Sequence, residues 1–237
     1  PVFFSAHDYV VTINKPDGDI ITLAEYIPVL VGGTPFAVRG TFRFYREVLK
    51  EDINEGDIFL CSDIFTMDCG NQPQDWTIIT PVFYEGELTF VIAVKAHQSD
   101  IGGGAPGGYN PNAIDCWAEG LRIPPIKIFD RGKKREDVLR LITTNVRTSE
   151  MCYSDLLCMA AATQIGARRL REMMDYWGKE KVLTYVDDVF NYAERMMRRQ
   201  IERNTTARPL MRHLLLLKKS RKIWKLQQRN LISCLSG

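Results

Sequence analysis

The 237-residue sequence has no CxxC pair: its six cysteines stand at 61, 69, 116, 152, 158 and 234. That spacing suits neither a zinc knuckle nor a compact disulfide framework, and it reads as reduced thiols in a cytoplasmic protein. No apolar run reaches the ~18 residues that a membrane span needs. Pro1-Val2-Phe3-Phe4 offers no basic region of the kind that opens a signal peptide. An initiator methionine is also missing, which suits a chain that is processed or cut from something longer. Histidine is scarce, at positions 7, 97 and 213 only. From Thr205 onward there is no Asp or Glu, against eight Lys or Arg; subtracting eight from the net charge of +2 leaves −6 for residues 1–204. An acidic body with a basic tail makes no case for nucleic-acid binding, and neither nucleic acid nor a membrane is expected as a partner.

What is present divides into two halves. "YVVTIN" (9–14) alternates like a strand and "KPDGD" is a turn. "IITLAEYIPVLVGG" follows as a second apolar segment ending in glycines. "PFAVRGTFRFYREVL" (35–49) carries both strand-like alternation and helical spacing. "IFLC" opens a short strand after Asp57, and residues 66–75 form an irregular loop. "WTIITPVFYEGELTFVIAVKA" reads as a β-hairpin turning at Glu85-Gly86. "AIDCWAEGL" reads as a short helix and "RIPPIKIFDRGK" as extended chain. After Lys134 the periodicity is helical, with Ser154-Asp155 and Asp187-Asp188 as N-terminal caps and Gly178 as a C-cap. The expected fold is α+β: a β-rich N-terminal half (1–133) followed by a helical C-terminal half (134–204), then a basic tail (205–237).

The chemistry-bearing residues gather around "KAHQSDIGGGAPGGYNP" (95–111). His97 ends the second hairpin strand, Asp100 follows three residues on, and Asp75 precedes the first strand, so the hairpin should bring Asp75 to His97. An imidazole with carboxylates suits Mn²⁺ or Zn²⁺ as well as proton transfer. The alternative is a histidine hydrogen-bonded in a loop. Gly102, Gly103 and Gly104 would let backbone N–H groups approach a ligand, or would simply permit a tight turn. The loop is neither a phosphate-cradling Walker loop nor a dinucleotide fingerprint. Arg122 could hold a substrate carboxylate or pair with Glu119. Asp63 could face a site or cap a turn, and Arg147 reads as surface-paired.

"DIGGGAPGG", "EGLRIPPIKIFDRGKKREDVLRLITTNVRTSE" and "DLLCMAAATQIGARRL", in this order, resemble the hydantoinase B/oxoprolinase family, as do "DYVVTINKPDGDIITLAEYIPVLVGGTPFAVR" and "GDIFLCSDIF…DWTIITPVFYEGEL". The likeness runs from about Phe4 to Arg203. It implies the B-type subunit of an ATP-dependent hydrolase that opens cyclic amides such as hydantoins or 5-oxoproline. An A-type partner subunit with an actin-like ATPase fold would use the ATP, activating the carbonyl by phosphorylation. Related ketone carboxylases share the architecture, and a manganese-carrying subunit in them resembles this chain.

Residue by residue, Asp75 matches the aspartate of the family's Gly-Thr-His-x-x-Asp motif, with Gln72 at its histidine. His97 and Asp100 match the His-x-x-Asp before the glycines. Tyr26 and Leu30 replace both histidines of His-Ile-Pro-Val-His. The resemblance thus implies Asp75 and His97 as ligands of one divalent metal (Mn or Zn). His97 and Asp100 would be the catalytic pair, with Gly102, Gly103, Gly104 and Arg122 on the substrate. Family B subunits are about twice this length, so the chain would carry part of the domain. A truncated or frameshifted gene would explain the acid-free tail; an amphipathic helix over Leu214–Leu226 is the alternative, as is a non-catalytic remnant for the whole.

Overall fold

The computed structural model describes residues 7–24, 26–66 and 69–203. Among the described residues seven strands form one antiparallel sheet: β1 (Tyr9–Asn14), β2 (Ile20–Ala24), β3 (Ile58–Cys61), β4 (Asp75–Tyr84), β5 (Glu87–His97), β6 (Ile126–Asp130) and β7 (Lys133–Lys134). Their order across the sheet is β2-β1-β5-β4-β3-β6-β7. The long central pair β4–β5 is the expected hairpin, turning at Glu85 and Gly86, both with positive φ. It is buried on both faces, which accounts for its nearly continuous apolar sequence.

Between β2 and β3 the chain forms helix α1 (Pro28–Arg43), which continues into a π-helical segment (Phe44–Leu49) closed by Lys50 at φ 57°. Here the mixed periodicity of residues 35–49 resolves as helix. Leu30, Thr34, Ala37, Val38, Thr41 and Phe42 fall on one buried stripe, and packing overrides Gly32, Gly33 and Pro35. Ala37, Val38 and Phe42 pack on Phe59, Cys61, Ile79, Val91 and Ala93 of the sheet.

The opposite face carries α2 (Glu136–Thr144) and α3 (Ser149–Trp177). Val138, Leu139, Ile142, Leu156 and Met159 close over Ile58, Leu60, Trp76, Ile78, Val94 and Ala96. Thr80 donates to Thr163 at 2.7 Å, and Thr163 also reaches the Ala160 carbonyl at 2.7 Å, joining β4 to α3. The fold is α+β as expected, except that α1 interrupts the β-rich half.

Three local expectations change. Residues 113–121 form turns rather than a helix. Ser154 and Asp155 lie within α3, which starts at Ser149, because Glu150 and Cys152 already belong to its amphipathic pattern. Asp187 and Asp188 likewise lie inside α4 (Lys179–Arg203). Gly178, at φ 84°, is the C-cap of α3 as expected.

By compactness the chain divides after Val182. The first unit holds the sheet and α1–α3. The described part of the second is the remainder of α4, with Tyr185, Val189, Tyr192, Met196 and Met197 exposed. The basic tail, with His213, Cys234 and the Leu214–Leu226 segment, lies outside the described residues. Among the described residues no helix is long and apolar enough to cross a membrane.

Candidate functional site

Side chains alternate along β4 and β5, so 75, 77, 79 on one strand and 97, 95, 93 on the other share the face that α1 covers. Asp75 and His97 are register partners at the open end of the hairpin. Asp75 is fully buried, and the His97 side chain keeps 10% of its surface exposed. His97 Nδ1 lies 3.0 Å from Asp75 Oδ1. Gln72 Nε2 donates to the same oxygen at 2.9 Å, and Asn71 Nδ2 donates to Asp75 Oδ2 at 2.7 Å. Gln72 Nε2 also stands 3.4 Å from His97 Nδ1, but the carboxylate contact is shorter and charge-assisted, so Nδ1 carries the proton. His97 Nε2 then presents a lone pair with no partner among the described residues. The ring stacks on Tyr109, centroids 5.7 Å apart and planes at 16°.

This donor set does not fit the divalent metal implied by the resemblance. Both oxygens of Asp75 are taken by Asn71, Gln72 and His97, and Asp75 faces the imidazole rather than sharing an ion with it. Among the described residues no three His, Cys, Asp or Glu side chains gather as ligands. His97 Nε2 and the amide oxygen of Gln72 are what remain.

Asp100 is brought near the loop but not to the position of an acid–base group. Its carboxylate accepts from the backbone N–H of Gly102 (2.9 Å), Gly107 (3.1 Å) and Arg147 (3.0 Å), and from Arg147 Nη1 (3.1 Å). Burial pushes its carboxyl up, but these four donors outweigh that and hold it below the ordinary range. A carboxylate so occupied clamps the loop.

The glycines serve the same clamp. Arg147 donates to the carbonyls of Gly102 (3.2 Å), Gly103 (2.7 Å) and Ala105 (3.3 Å), so the loop is wrapped around a guanidinium from the α2–α3 connection. A Cβ on Gly103, at φ +75°, would stand 2.7 Å from the Glu119 carbonyl, and one on Gly102 2.5 Å from that of Asn145. Gly104 N–H donates to Ala118 O at 2.9 Å. The absent Cβ atoms of Gly102 and Gly103 thus make room for protein backbone.

Arg122 is committed too, and to Asp63 rather than Glu119, through two bonds of 2.9 and 3.0 Å. Its guanidinium also lies against Phe65 and Trp117. For Asp63, burial works upward, while Arg122, Thr66 and the Phe65 N–H together bring it below the usual range.

One residue went unnoticed in the sequence. Lys95 is fully buried, shares the strand face of His97, and donates from Nζ to Asn71 Oδ1 at 2.8 Å. Burial pushes its ammonium down, opposed by the nearby Cys61, Asp75 and Cys69. The available signal was a lysine two residues before His97 inside the apolar run "LTFVIAVKAH". On the other face of the sheet, a cavity of about 420 Å³ is lined by Tyr9, Val11, Val94, Ala96, Cys158 and Met159, with His7 at its wall. Its lining is apolar and lies across the sheet from the His97–Asp75 pair.

Comparison with known proteins defines the class. The hydantoinase B/oxoprolinase family model matches residues 1–216. This chain belongs to that family. Over 197 residues it is 36% identical to caprolactamase subunit beta of Pseudomonas jessenii, covering 83% of this chain and 33% of that protein. The crystal structure of the ATP-dependent caprolactamase from that organism superposes with a TM-score of 0.75 at 35% identity, over 83% of this chain and 33% of that one. 5-Oxoprolinase 1 of Arabidopsis thaliana is 29% identical, covering 82% of this chain and 16% of the relative. The acetophenone carboxylase delta subunit of Aromatoleum aromaticum is 27% identical, with 83% and 28% covered. The chain thus spans a third or less of the length of these relatives.

Proposed function

We propose that the chain is the B-type component of an ATP-dependent hydrolase of cyclic amides, acting with an A-type ATPase subunit that activates the amide carbonyl by phosphorylation. The observation that carries this reading is the His97–Asp75 hydrogen bond at the end of the β4–β5 hairpin, in a chain related to a caprolactamase subunit and a 5-oxoprolinase. Asp75 holds the imidazole with Nδ1–H inward. Nε2 takes a proton from water as its oxygen attacks the phosphorylated carbonyl carbon, and returns it to the amide nitrogen of the substrate as the C–N bond breaks. The acyl phosphate so formed takes up a second water, again deprotonated by Nε2, and releases carboxylate and inorganic phosphate. Asp100 and Arg147 keep the adjoining loop, and with it Tyr109 against the His97 ring, in place. Gln72 steadies Asp75.

The likeness to the acetophenone carboxylase delta subunit favours one other reading, attachment of a bicarbonate-derived carbon. The test is co-expression with an A-type ATPase subunit, followed by ring-opening assays on caprolactam, hydantoin and 5-oxoproline with and without ATP, and by assays on acetophenone with ATP and labelled bicarbonate. ATP-dependent ring opening supports the hydrolase; label incorporation without ring opening supports the carboxylase.

A further inference from the structure

A lysine in the middle of a central strand, with no exposed surface, is costly unless its charge does something there. Lys95 sits beside Thr77 of β4, whose hydroxyl is buried without a partner, and beneath α1. Among the described residues its ammonium makes one hydrogen bond, to Asn71 Oδ1. Helix α1 makes room for it: a Cβ on Gly33 would stand 2.6 Å from Lys95 Nζ and 3.2 Å from Asn71 Oδ1. Alanine is the better helix former at such an interior position, so this glycine is explained by clearance.

The chemistry of the three groups fixes a direction. An ammonium only donates, so Asn71 must turn its oxygen to Lys95. Its amide nitrogen is then left for Asp75 Oδ2, which it reaches at 2.7 Å. A carboxylate only accepts, so the group opposite Asp75 Oδ1 must donate, and that is His97 Nδ1 at 3.0 Å. Without the ammonium, Asn71 Oδ1 loses its donor and the amide that braces Asp75 Oδ2 loses its anchor. As Asp75 slackens off His97, Gln72 Nε2, 3.4 Å from Nδ1, is the donor that replaces it and favours Nε2–H.

We propose that Lys95 is the positioning residue of this site: a buried donor that anchors Asn71 against Asp75 and so keeps the carboxylate on His97, with Nδ1–H inward and Nε2 free. It touches no reacting atom. Its catalytic meaning rests on the hydrolase reading above, but the geometry can be tested without any substrate. Gly33 belongs to the same device as the clearance for the ammonium.

The experiment is long-range proton–nitrogen NMR of the full chain labelled with ¹⁵N-histidine, where three histidines leave little ambiguity. Wild type should show neutral His97 as the Nδ1–H tautomer. Lys95→Met should lower the ratio of Nδ1–H to Nε2–H by about threefold or more, the scale expected from removing a charged member of a buried network. Gly33→Ala, which keeps every charge and displaces Nζ, should shift the ratio the same way. Its effect should be smaller in the Lys95→Met background, because the 2.6 Å approach to Nζ is gone and only the contact with Asn71 at 3.2 Å stays. If Lys95→Met does not fold, Gly33→Ala alone decides. An unchanged His97 tautomer in Gly33→Ala, or additive effects in the double variant, overturns the proposal. A shifted tautomer combined with full turnover in His97→Gln would sustain Lys95 as the positioning residue while removing the hydrolase reading.

Discussion

Asp75 and His97 are 22 residues apart in sequence and directly opposite each other across β4 and β5, with 3.0 Å between carboxylate and imidazole. The contact follows from the hairpin itself. Once the turn is set at Glu85-Gly86, with the register shift at Val82/Phe83, Asp75 has His97 as its only partner position. Asp75→Asn keeps the volume but exchanges the acceptor-only group for an amide that can present a donor to His97 Nδ1. Turnover of the assembled enzyme should fall by about 10²-fold or more, with KM nearly unchanged. Steady-state kinetics of the purified complex measure both.

Asp100 should make the fold acid-sensitive. Its folded-state carboxyl lies below the ordinary range, so its stabilisation is complete above the unfolded value of about 4 and is lost as pH falls through the folded value. Asp63, held by Arg122, has the same sign. Asp100→Asn should be less stable than wild type at pH 7 by about 2–3 kcal/mol, the scale of hydrogen bonds to a buried charge. The two should begin to converge below about pH 4 and meet once pH has fallen through the folded value. Denaturant titrations at pH 7, 5 and 3 give the comparison.

The glycine loop tolerates little. Gly103→Ala places a Cβ against the Glu119 backbone at a left-handed φ, and backbone is not free to move aside. A loss of about 2 kcal/mol or more is expected, with proteolytic nicking appearing near residues 102–108. Gly132→Ala meets open space, so only its φ of +81° counts, and it should cost less.

The buried Thr80–Thr163 pair should respond asymmetrically. Thr163 keeps a second partner, the Ala160 carbonyl, so Thr80→Val leaves no donor stranded. Thr163→Val strands the Thr80 hydroxyl and should cost about 1–3 kcal/mol, more than its counterpart. Chemical denaturation of the two variants settles the order.

The parts of this molecule that were legible in the sequence are those governed by neighbours along the chain. The β4–β5 hairpin was, through its turn and its two apolar runs, and the meeting of Asp75 with His97 came with it. Gly178 was, because a left-handed cap leaves a local signature. α1 was obscured because Gly32-Gly33 followed by Thr34-Pro35 reads as an ending. It forms a helix because its buried stripe faces strands β3–β5 that are contributed by distant sequence.

The work of Asp100 was hidden for a similar reason: its partner Arg147 is 47 residues away, and motif reading assigned the carboxylate to chemistry before its four donors were visible. Lys95 passed as one more strand residue. Period-two alternation places a side chain on a face without saying whether that face meets water or a helix, and the decisive neighbours, Gly33 and Asn71, come from elsewhere.

The central claim is that His97 moves the proton in an ATP-driven opening of a cyclic amide. The most direct measurement compares wild type with His97→Gln in complex with the partner ATPase, following ring opening and ATP hydrolysis together. The account predicts that ring opening falls by about 10²–10⁴-fold while the partner still hydrolyses ATP. Ring opening at wild-type rates in His97→Gln would contradict it.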